Sequence, residues 1–129
     1  MLVIRQEQMN VLIKGSDDEW VETLVSQVKD EDPEIAKTYD DDALRSMVRV
    51  SIKKAERYGF TSADDQASFV SIMFEVAPNF DEQDEIRAVL SEDDLKPSYR
   101  LEKLWSNAVP EEAWDKAEEN YKEEAWKEA

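Results

Sequence analysis

The chain of 129 residues sets 32 acidic side chains against 16 basic ones, a formal net charge of -16, with 41% hydrophobic residues and neither Cys nor His. That length suits one ordinary domain with a buried core. The missing residue types remove disulfides, thiolate nucleophiles, Cys- or His-based metal sites, and triad or His-dependent acid–base catalysis. Net negative charge repels phosphate backbones, so direct nucleic-acid binding is disfavoured and basic protein partners are favoured.

With two Gly and four Pro, the composition predicts an all-α fold, a single bundle of about six to eight helices over residues 1–129. Leu2, Val3 and Ile4 lead into a brief helix over Gln6 to Leu12, which Gly15 ends. Ser16 followed by Glu19 makes a capping box, and Trp20, Leu24 and Val28, flanked by Val21 and Val25, recur every four residues. Together they predict a helix from Ser16 to about Lys29. The acidic turn DEDPE follows, with Pro33 opening a short segment from Glu34 to Thr38.

Asp40, Asp41 and Asp42 are suited to cap the next helix, because carboxylates satisfy its exposed N–H groups. Leu44, Met47, Val48, Ile52 and Ala55 form its apolar stripe, and Arg45, Arg49, Lys53 and Arg57 a basic one beside it. Gly59 suits the left-handed position after the helix. Thr61 or Ser62 caps the following helix, whose Ala67, Phe69, Val70, Ile72, Met73, Phe74, Val76 and Ala77 leave little polar circumference. Such a helix is central in a bundle. Pro78 stops it.

An acidic loop, PNFDEQDE, leads to a helix carrying Ile86, Ala88, Val89 and Leu90. Ser91 to Lys96 is polar, and Pro97 reopens a helix through Leu101, Leu104 and Trp105. Pro110 stands at the first position of an acidic amphipathic C-terminal helix running to the end of the chain, with Trp114, Ala117 and Tyr121 on one face and Ala125 and Trp126 further along. That helix either closes the bundle or docks into a partner groove, and closure is favoured. Trp20, Phe69, Phe74 and Trp105 read as core; Trp126 reads as the aromatic left most exposed.

No residue pattern supplies catalysis, a cofactor site or a metal site, so no cofactor is expected. Asp81 and Glu92 occupy the first and twelfth positions of a calcium-loop spacing, yet Ile86 stands where the sharp turn needs Gly. Paired Glu-x-x-His motifs are absent for want of His, and the two glycines are isolated helix terminators. The candidate partner-binding residues are Arg45, Arg49, Lys53, Arg57, Trp114, Tyr121 and Trp126. For the basic stripe, pairing with acids inside the fold or across a self-association interface is favoured over docking. The start, MLVIRQEQMNVLIKG, has no secretory-signal pattern and no apolar run reaches membrane-spanning length, so a cytoplasmic location without membrane contact is expected.

The stretches MLVIRQEQMNVL, RSMVRVSIKKAERYGFTSADDQASFVSIMFEVAPNFDEQ and LEKLW resemble a group of small all-helical bacterial proteins encoded in type VI secretion gene clusters, beside spike and effector genes. The likeness spans most of residues 1–105, and its most telling run is Ala55 to Asp81. No catalytic residue carries over with it, and the acidic tail after Pro110 lies outside it. The resemblance implies an accessory protein that binds another protein, an effector or spike component with a basic surface, as adaptor, chaperone or immunity partner. The alternative is an acidic DNA mimic that inhibits a nucleic-acid-binding protein.

Overall fold

A computed structural model describes residues 18–127. Among them are seven α-helices and two 3-10 turns, and no strand. The brief helix expected over Gln6 to Leu12, its Gly15 stop and the Ser16 cap lie outside the described residues.

Helix α1, Asp18–Glu31, buries Trp20, Val21, Leu24, Val25 and Val28, the stripe its spacing requires. After the Pro33 turn, the single turn α2, Ile35–Thr38, buries Ile35. Asp40 caps helix α3, Asp41–Arg57, by accepting from the Ala43 N–H at 2.8 Å. The helix ends in a Schellman motif: Phe60 N–H donates to the Ala55 carbonyl and Gly59 N–H to that of Glu56, with Gly59 at φ +91°. A side chain at Gly59 would meet Arg100 only at ordinary contact distance, so the backbone conformation alone selects glycine there.

Ser62, not Thr61, caps helix α4, Ala63–Glu75, which buries Phe69, Val70, Ile72 and Met73 together with polar Asp65 and Gln66. Helices α1, α3 and α4 pack on one another and form the centre of the bundle. Their apolar stripes merge with those of the later elements into a single buried cluster. That burial is the dominant favourable term for a chain this acidic. Past Pro78 a 3-10 turn, Phe80–Glu82, leads into helix α5, Asp84–Leu90, which Gln83 caps at the Ile86 N–H.

Helix α6, Pro97–Leu104, starts on its proline as expected. Helix α7, Glu111–Glu119, packs over the Phe80 turn and α5, with Pro110 as its cap rather than its first residue. The expected continuous helix to the end of the chain does not form: α7 stops at Glu119, and a separate 3-10 turn, Glu123–Lys127, follows. Asn79 explains the break. Its side chain donates to the Asn120 carbonyl at 2.9 Å and accepts from the Lys122 N–H at 3.0 Å, pulling the backbone out of helical register.

Buried polar groups are paired throughout; among the described residues no buried side-chain N or O lacks a partner. Lys54, buried on α3, donates to Asp81 Oδ1 and to the Pro78 carbonyl, each at 2.9 Å, and the Tyr58 hydroxyl donates to Asp81 Oδ2 at 2.7 Å. Arg100 donates to the carbonyls of Leu95, Tyr58 and Leu90 and lies over the Phe60 ring at 5.3 Å from its centre. Gln66 accepts from the Trp20 indole N–H and donates to the Phe60 carbonyl. Each network ties elements distant in sequence, so polar specificity is added to an apolar core.

Candidate functional site

Helix α6 ends at Leu104, and the chain turns at once through Ser106 and Asn107 before Pro110 caps α7. That turn decides where Trp105 goes. As the residue after the last helical position it leaves the buried stripe of Leu101 and Leu104, and it is 64% exposed. The expectation that Trp105 belongs to the core is therefore corrected: its helical periodicity is real, but the helix stops one residue too early for it to follow inward.

Trp105 does not stand alone. Its ring lies on that of Trp114 with centres 4.9 Å apart and planes 11° apart, and Trp114 lies in turn near-parallel to the fully buried Phe80 at 6.4 Å. Phe80 meets Phe69 edge-on at 5.2 Å, and Phe69 meets Phe60 at 5.5 Å. A column of aromatic rings thus runs from the centre of the bundle to an open surface. Beside Trp105 and Trp114 is a groove of about 390 Å³ with Leu104, Val109 and Pro110 in its apolar lining and Glu111 among its polar members. Stacked, two-torsion side chains held by a core offer large contact area at low entropic cost.

Charge surrounds this feature. Residues 105–121 hold the acids Glu111, Glu112, Asp115, Glu118 and Glu119 against one base, Lys116. Glu111 and Glu118 stand three before and four after Trp114 on α7, hence on its face of the helix. Neither carboxylate has an ion-pair partner among the described residues.

The remaining candidates fall elsewhere. Arg45 pairs with Glu22 and Asp42, and Arg49 with Asp18 at 2.9 Å, so two members of the basic stripe join α3 to α1 and to its own first turn. Lys53 and Arg57 are exposed and have no ion-pair partner among the described residues. Trp126, expected to be the most exposed aromatic, is only 7% exposed: the end of the helix at Asn120 lets the tail fold back so that its ring meets Phe74 at 4.7 Å. Its indole N–H donates to the Tyr121 hydroxyl at 2.8 Å, and that hydroxyl and Tyr39's both donate to Glu123.

These tail groups edge a second hollow of about 230 Å³, with Ile35, Tyr39, Met47, Phe74, Tyr121 and Trp126 around it. Burial, reinforced by the neighbouring Glu123 carboxylate, pushes the Tyr121 hydroxyl well above its ordinary range, so it stays protonated and serves as a fixed donor. Burial likewise raises Tyr58, whose hydroxyl is committed to Asp81. The candidate residues thus separate: Arg45 and Arg49 lie in the α1–α3 seam, Trp114 in the Trp105 groove, Tyr121 and Trp126 at the tail hollow, and Lys53 and Arg57 face solvent.

No group of three or more Asp or Glu is placed to hold a metal ion among the described residues, and no helix among them is long and apolar enough to cross a membrane. No protein-family model matches the chain, no curated protein matches its sequence, and no solved structure matches its fold. What the protein does has to be argued from its own surface. Among the described residues, Trp105 is the most exposed of the large hydrophobic side chains, ahead of Tyr99 and Tyr121.

Proposed function

We propose that the protein is a non-enzymatic accessory protein that binds another protein through the groove beside Trp105 and Trp114. The carrying observation is Trp105 itself, a large apolar ring 64% exposed yet held in place by stacking on a core-anchored neighbour. Tryptophans rigidly presented at a surface are the residue type most enriched among binding hot spots. The acidic surround favours a partner with a basic surface, because complementary charge speeds encounter and rejects acidic competitors. The non-enzymatic reading rests on the absence of Cys and His from the sequence.

The resemblance to proteins of type VI secretion clusters supplies the class of partner: an effector or spike component, with this chain as adaptor, chaperone or immunity partner in the bacterial cytoplasm. Purification of the tagged protein from its own host tests this. The reading expects the product of a neighbouring secretion gene to be recovered in stoichiometric amount from wild type and to be lost from Trp105→Ala. Recovery of no neighbouring product would sink the secretion assignment, and equal recovery by both forms would remove the groove from the function.

A further inference from the structure

The aromatic column is capped at only one of its ends. At the buried end the Arg100 guanidinium lies over Phe60, 5.3 Å from the ring centre. At the outer end Trp105 turns one face to Trp114, and its high exposure leaves the other open to solvent. Indole is the strongest of the side-chain rings in attracting cations to its face, and guanidinium, planar and weakly hydrated, stacks there better than ammonium. The Glu111 carboxylate in the groove provides the counter-charge that a cation on this ring would need, and Glu118, one turn beyond Trp114 on α7, adds to the negative field around it.

From this combination we infer that the groove recognises an arginine side chain on a basic segment of the partner protein, with the guanidinium stacked on the free face of Trp105 and paired to Glu111. The inference rests on the protein-binding reading for its choice of occupant. It adds a chemical selectivity which that reading does not require. The observations select arginine over a general positive charge: the acids alone would attract any cation, while an open indole face beside an unpaired carboxylate acceptor distinguishes a flat, five-donor group from a point charge. The groove's apolar lining from Leu104, Val109 and Pro110 suits the methylene stem of such a side chain.

The test uses the whole protein and three short peptides: an Arg-Ser repeat, a Lys-Ser repeat, and the same repeat with citrulline, which keeps the shape of arginine without its charge. Binding is followed by the indole N–H resonances in NMR and by titration calorimetry. The Arg-Ser peptide is expected to move the Trp105 and Trp114 indole signals and to bind roughly fivefold more tightly than the Lys-Ser peptide. The citrulline peptide is expected to leave those signals in place. Trp105→Ala should weaken the Arg-Ser peptide about tenfold and abolish its preference over Lys-Ser, while Glu111→Gln/Glu118→Gln should weaken both cationic peptides together.

Equal binding of the Arg-Ser and Lys-Ser peptides, unaffected by Trp105→Ala, would mean diffuse attraction to an acidic surface and would overturn the inference. So would the absence of any indole response. If the peptides fail but Trp105→Ala still releases the host partner, the arginine assignment falls while the protein-binding reading stands. If the peptides succeed and the host yields no partner, the selectivity stands and the functional reading falls.

Discussion

Lys54 and Arg57 are three residues apart on α3, yet the first is buried against Asp81 and the second is exposed. Removing one partner of a buried pair leaves an uncompensated charge, whereas an exposed pair gains little over solvation. Asp81→Ala, which orphans both the Lys54 ammonium and the Tyr58 hydroxyl, is therefore expected to cost about 3–5 kcal/mol in urea denaturation. Arg49→Ala, which breaks the exposed bond to Asp18, is expected to cost less than about 1 kcal/mol. A reversed order would contradict the placement of the two side chains. Tyr58 adds a pH signature: burial, then its bond to Asp81, raises its folded pKa above the unfolded value. Its contribution is complete below about pH 10 and declines above it, where the unfolded chain releases the proton first. Stability flat from neutrality to pH 10 and falling beyond is the expected profile, with Tyr58→Phe shallower at the alkaline end.

The buried Lys54–Asp81–Tyr58 network was not legible in the sequence, and the reason is physical. Lys54 sits between apolar Ile52 and Ala55 but follows Lys53 in a run that reads as a solvated face. Asp81 sits in an acidic loop that reads as solvent-exposed. Their meeting depends on the Pro78 stop carrying the chain back over α3, a non-local event with no periodic trace. Gln66 is similarly hidden, its burial decided by Trp20 forty-six positions away.

Elements were more readable than residues, because caps and stripes are local. The α1 stripe, the Asp40 and Ser62 caps, the Gly59 stop and the Pro97 start all follow from side chains within a turn of the feature they set. Gly59→Ala tests one of them: with space for a methyl group but φ at +91°, it is expected to cost about 1–2 kcal/mol, all of it from backbone conformation. The tail failed as a continuous helix because Asn79, far off in sequence, captures both the Asn120 carbonyl and the Lys122 N–H. High helix propensity lost to tertiary hydrogen bonds, as propensity commonly does. Trp126→Ala is accordingly expected to destabilise by about 3–5 kcal/mol, the cost of a buried aromatic, and Asn79→Ala to loosen the tail measurably by hydrogen exchange at residues 120–127. A near-neutral Trp126→Ala would mean that the tail does not close over Phe74.

Among the described residues the fold gathers its apolar side chains into one cluster and leaves most of its charge outward, with Tyr99, Trp105 and Tyr121 as the large rings left exposed, Trp105 the most of the three. The sequence pointed to an all-α bundle and to a surface tryptophan near the C-terminus, but to the wrong one. Trp105 and Trp126 exchange roles because α6 stops at Leu104 and the chain breaks at Asn120, two boundaries shifted by a few residues with opposite effects on the rings beyond them. The basic stripe is divided in the same way, with Arg45 and Arg49 holding α1 and α3 together and Lys53 and Arg57 left outward.

The claim that binds these scales is that Trp105 is retained for a partner and not for the fold. Partner capture by Trp105→Ala, measured at matched concentration beside its thermal unfolding curve, tests it most directly. A melting temperature within a few degrees of wild type is expected, as for surface substitutions generally, together with loss of most captured partner. An unfolded variant, or a folded one that captures partner as wild type does, would contradict it.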